Sequence, residues 1–97
     1  MLPNTIVNFV SQLVSETQNG IIHWNYISDE DKVWTNYQGM RITLDYAFDF
    51  NMEVGVQRLS IIQNDGRHFF FPISEYDSGY TLLKQLYNEA QASDFKF

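Results

Sequence analysis

Three sets of residues in this chain have types that chemistry uses, and their spacing decides what each can do. His23 and His68 are the side chains expected to titrate near neutrality, where a general base or a metal ligand works. They stand 45 positions apart (68 − 23), with no further histidine at metal-ligand spacing, no HExxH run and no Cys/His cluster. They could act together only if the strands carrying them pair, so each reads as a satisfied or surface histidine. Asp45 and Asp49 share one face of an alternating segment and invite a carboxylate pair. Four residues of strand span about 13 Å at roughly 3.3 Å each, whereas glycosidase pairs stand roughly 5–9.5 Å apart. Both acids therefore read as solvated. Asp29, Glu30 and Asp31 are consecutive and lack the alternating oxygen ligands and distal glutamate of a calcium loop, which leaves a charged turn. The five glycines are scattered, no serine lies in a GxSxG context, and zero cysteines remove thiol chemistry. No catalytic residue, cofactor site or metal ligand emerges, and the chain reads as non-enzymatic.

Charge narrows the partners. Lys32, Arg41, Arg58, Arg67, Lys84 and Lys96 are dispersed and outnumbered by twelve acids, for a net charge of −6. That balance disfavours direct binding to a nucleic-acid backbone or an anionic lipid surface. The feature left over is aromatic. Two Trp, six Tyr and eight Phe make 16% of 97 residues, more than a small core readily absorbs. Trp24, Trp34, Tyr37, Phe69, Phe71 and Tyr76 are the expected surplus. Large aromatics bury much area at little conformational cost and are enriched at protein contacts, although cross-strand aromatic pairs can also serve the sheet alone. The leading reading is a protein-binding module of inhibitor or immunity type. It docks through those aromatics inside an acidic rim of Asp29, Glu30, Asp31, Asp45 and Asp49. One alternative is a homodimer whose aromatic surface is its symmetric face. Another is an acidic mimic in which the same five carboxylates imitate nucleic-acid phosphates.

The elements that position these residues follow from periodicity. Ile6, Phe9, Val10, Leu13 and Val14 recur at three and four, which predicts a helix from about Pro3 to Gln18, stopped by Asn19-Gly20. The period then falls to two. Ile22, Trp24 and Tyr26 alternate with Ile21, His23 and Asn25, and Val33 to Tyr37 is a second short strand. The third is the clearest, with Met40, Ile42, Leu44, Tyr46, Phe48 and Phe50 on one side and Arg41, Thr43, Asp45, Ala47 and Asp49 on the other. A fourth strand covers about Val54 to Gln63, and Asn64-Asp65-Gly66 signals a hairpin into a fifth, Arg67 to Ile73. Pro72 places that strand at an edge or terminus. Tyr80, Leu83, Leu86, Tyr87 and Ala90 predict a closing helix, with a capping box from Ser74 or a cap at Ser78, and a loose tail from Ser93 to Phe97 whose two phenylalanines could pack back. The expected fold is one α+β domain over 1–97. Both helices lie on one face of an antiparallel meander of about five strands, the face presenting Ile42, Leu44, Tyr46 and Phe48.

Thr17-Gln18-Asn19-Gly20-Ile21-Ile22-His23-Trp24 forms a T-x-x-G-x-I-x-W junction, and Leu82-Leu83-Lys84-Gln85-Leu86-Tyr87 a leucine-rich closing helix. In both it resembles small uncharacterised bacterial and phage proteins, a likeness that implies a fold and no chemistry. In size, acidity and helix–sheet–helix order the chain also resembles phage-encoded inhibitors of the anti-CRISPR type. No apolar run approaches the roughly 20 residues that span a bilayer. Neither a basic n-region nor an apolar h-region opens the chain. With no cysteine, the expectation is a cytoplasmic protein.

Overall fold

The computed structural model describes residues 1–96. Helix α1 (Asn4–Gln18) is followed by β1 (Asn25–Ile27), a 3-10 turn (Ser28–Glu30), β2 (Lys32–Tyr37), β3 (Met40–Asp49), β4 (Val54–Ile62), β5 (His68–Ser74) and α2 (Tyr80–Ser93). The strands form one antiparallel sheet in the order β1-β2-β3-β4-β5, so each neighbour in sequence is a neighbour in space. The α+β meander between two helices is thus as expected. Its edges are β1 and β5, which carries the proline.

Both helices cover one sheet face. Val10, Leu13 and Val14 of α1 and Leu83, Leu86 and Ala90 of α2 are buried against Val33, Ile42, Leu44, Leu59 and Ile61. The largest side chain in that core is Trp24, fully buried between α1 and the sheet. Its indole Nε1 donates to Thr17 Oγ1 at 2.9 Å, and that hydroxyl donates to Leu13 O at 2.7 Å. The indole polar edge is thereby satisfied inside the core, as burial requires. Gly20 turns the chain out of α1 at φ 76, a left-handed conformation that glycine adopts without cost.

Three expectations need correction. β1 is shorter than its alternating pattern: pairing with β2 begins only at Asn25↔Trp34, and backbone groups of the residues before it are bonded to side chains. Trp24 N donates to Ser93 Oγ at 3.0 Å, Tyr26 N to Asp94 Oδ2 at 2.9 Å, and His23 O accepts from Thr35 Oγ1 at 3.0 Å. The start of the tail is accordingly tied down rather than loose: α2 runs to Ser93, and Asp94 clamps the entry to the sheet. Phe97 lies outside the described residues. Finally, α2 begins at a left-handed Gly79 with no side-chain cap, so neither Ser74 nor Ser78 plays that part.

Strand lengths are uneven, and that has consequences. β2 pairs with β3 only as far as Lys32↔Asp45, and β5 pairs with β4 only as far as Val56↔Ser74. The β3–β4 ladder continues to Asp49↔Val54. Single bonds extend each side by a residue, Tyr46 N to Asp31 O and Glu75 N to Gly55 O, so the end of that hairpin projects well past β2 and its turn past β5.

Candidate functional site

The projecting hairpin carries large apolar side chains that the described residues leave exposed. Phe48 is 43%, Phe50 83% and Met52 71% exposed, and Phe48 meets Phe50 edge-on with ring centroids 5.0 Å apart. Tyr76, 81% exposed, stands at the same end of the sheet in the loop after β5. In an antiparallel meander this end collects the β1–β2 turn, the β3–β4 turn and the exit of β5. Acids gather with it: Asp49 and Glu53 flank the hairpin tip, Glu75 and Asp77 follow β5, and Asp29, Glu30 and Asp31 surround the 3-10 turn. The tip is ordered by its own chemistry. Asp49 Oδ1 accepts the amides of Asn51 and Met52 at 2.9 and 3.2 Å, the short side chain closing the turn on itself. Glu75 ties β5 to β4, with Glu75 N donating to Gly55 O and Gly55 N to Glu75 Oε1 at 3.0 Å.

Beside this tip, between the hairpin and α2, lies a cavity of about 380 Å³ lined by Asp31, Tyr46, Gln57, Glu75, Tyr80, Lys84, Tyr87 and Asn88. Gly55 is what admits the phenols. A Cβ there would stand 2.9 Å from Cε1 and Oη of Tyr46 and 3.2 Å from Tyr80 Oη. Burial, with Tyr46 and Glu75 nearby, pushes the Tyr80 phenol up. Burial, then the neighbouring Tyr26 and Asp31, push Tyr87 up to about 12. Both hydroxyls thus remain protonated donors throughout the neutral range.

The six aromatics singled out from sequence do not form one surface. Trp24 is in the core. Tyr37 is buried, its hydroxyl donating to Glu16 Oε2 at 2.7 Å and accepting from Gln12 Nε2 at 2.9 Å. The Glu16 carboxylate that takes this hydrogen bond holds the phenol above its ordinary value. Trp24 and Tyr37 are therefore structural and leave the set of docking residues. Phe71 packs half-buried against the core, and Phe69 lines a shallow apolar groove with Ile6, Phe9 and Met40. Trp34 lies on the sheet face away from the helices, beneath the Arg41 guanidinium at 4.1 Å from the ring centroid. Of the six, Tyr76 alone stands at the acidic end.

The five rim acids divide too. Asp29, Glu30 and Asp31 are exposed as expected, Glu30 pairing with Lys32 Nζ at 3.4 Å. Asp45 instead pairs with Arg58 Nε at 2.6 Å on the open sheet face, and Asp49 holds the tip. The histidines stay apart. His23 Nε2 lies 3.5 Å from Asp94 Oδ1, and His68 on the opposite edge strand bonds Ser60 Oγ at 2.6 Å. Among the described residues no group of three or more His, Cys, Asp or Glu side chains could hold a metal ion. No helix there is long and apolar enough to cross a membrane.

Sequence reasoning missed Phe48, which its alternation assigned to the core, and Phe50 and Met52, which fell at the strand end and turn. The available signal was length. A strand alternating over ten residues beside one alternating over six runs past its neighbour, and its inward face is then covered only as far as the helices reach. No protein-family model matches this chain, nor does any curated protein or solved structure.

Proposed function

We propose that the protein is a non-enzymatic binding module that docks onto another protein through the β3–β4 tip, in the manner of an inhibitor or immunity protein. The observation that carries this reading is the group Phe48, Phe50 and Met52, held on a projecting hairpin and set among Asp49, Glu53, Glu75 and Asp77. Monomeric proteins seldom spend large apolar side chains on a protruding turn, and such groups mark contact sites. The surrounding carboxylates select a partner with an apolar pocket in a basic rim. They would speed encounter electrostatically, and salt would slow it.

Of the alternatives, the phosphate mimic loses support because two of its five carboxylates are engaged, Asp45 with Arg58 and Asp49 with backbone amides. The test is capture from the native host's lysate with wild-type and Phe50→Ser/Met52→Ser baits, washed at low and high salt. Retention of one stoichiometric, salt-sensitive partner by wild type and its loss from the variant is the expected result. Equal retention by both would place the docking surface elsewhere.

A further inference from the structure

We propose that the cavity between the β3–β4 hairpin and α2 binds an organic cation, an alkylammonium or guanidinium group carried by a free amine or by a basic side chain of another protein. Its volume of about 380 Å³ is that of a small-ligand site. Tyr46, Tyr80 and Tyr87 line it, the first two brought close by the bare backbone of Gly55. The faces of such rings are electronegative and attract ammonium and guanidinium groups.

Gln57, only 2% exposed, also lines the cavity, and its Oε1 has no hydrogen-bond partner among the described residues. A buried acceptor left empty is costly, and an N–H-bearing cation supplies the missing donor where an anion has none to give. Two carboxylates, Glu75 and Asp31, line the same space. The two carboxylates set a negative field at its wall. Lys84 opposes that field, but it is exposed on the surface of α2 and its flexible stem can carry the ammonium away.

The experiment is a residue-resolved NMR titration of the full chain at low salt with methylguanidinium and n-butylammonium, with urea and acetate as controls. Both cations are expected to shift the amides of Gly55, Gln57, Glu75 and Tyr80, and the controls to leave them in place. Glu75→Gln keeps an oxygen for the Gly55 amide and removes only charge. It should weaken cation binding about two- to fivefold. Lys84→Ala should tighten it, and Phe50→Ser should leave it unchanged, which separates this site from docking at the tip. A lysine- or arginine-bearing peptide that binds more tightly than the free cations identifies a protein source, and equal affinity a free amine. Amide dispersion of each variant reports that it is folded. Absence of cation-induced shifts, equal shifts with urea or acetate, or weaker cation binding by Lys84→Ala would overturn the proposal.

Discussion

Trp24 and Phe50 show how little residue type alone says about role. Both are large aromatics on alternating segments, yet one is fully buried and the other 83% exposed. Trp24→Ala should cost about 3–5 kcal/mol, the scale of a large core aromatic removed without refilling, enough to unfold much of a small domain at 37 °C. Phe50→Ser should change stability by less than about 0.5 kcal/mol, as at other exposed sites. Chemical denaturation of the two variants checks both. Asp94 adds a pH dependence. The Tyr26 amide hydrogen bond, with His23 and Lys96 nearby, holds its carboxyl below the ordinary 3.8. Since the folded pKa is the lower one, the stabilisation is complete above about pH 4 and disappears as pH falls through the folded value. Melting temperatures measured down through that range should fall more steeply for wild type than for Asp94→Asn.

At the scale of elements, alternation was the most legible signal. The inward set Ile42 and Leu44 and the outward set Arg41, Thr43 and Asp45 lie on the faces that period two assigns. The end of that same strand was misread, because alternation reports which side a residue faces but not where the covering helices stop. Helix α2 starts only at Tyr80, and Phe48 on the helix side is left 43% exposed. The short β1 also escaped, because alternation runs on through Ile22 and Trp24 while pairing with β2 starts only at Asn25 and the Trp24 amide goes to Ser93. Pro72 was legible and has a definable duty. The bonds Gln63 N to Arg67 O and Glu75 N to Gly55 O fix the odd-numbered residues of β5 as those bonded to β4. Position 72 therefore faces the free edge, where proline removes a donor from a row that could template another strand. Pro72→Thr should leave the fold intact and increase concentration-dependent self-association, read by light scattering.

Taken whole, the molecule separates its surfaces. One sheet face is closed by two helices, and the other is open and carries Trp34, Ile62 and Phe70 beside Arg41, Arg58 and His68. The end bearing the β3–β4 tip gathers acids and uncovered Phe and Met side chains. Composition revealed that an acidic chain held more aromatics than its core could use. It could not reveal that they sit on separate surfaces, which only the packing of helices on an uneven sheet decides. The central claim is that contact with a partner is made at the tip and not on the open face. A photo-crosslinking residue placed at Phe50 in one variant and at Ile62 in another, each exposed to host lysate, tests it directly. A single discrete crosslink from position 50, diminished by salt and absent from position 62, is the predicted result. A crosslink from position 62 with none from position 50 would contradict it.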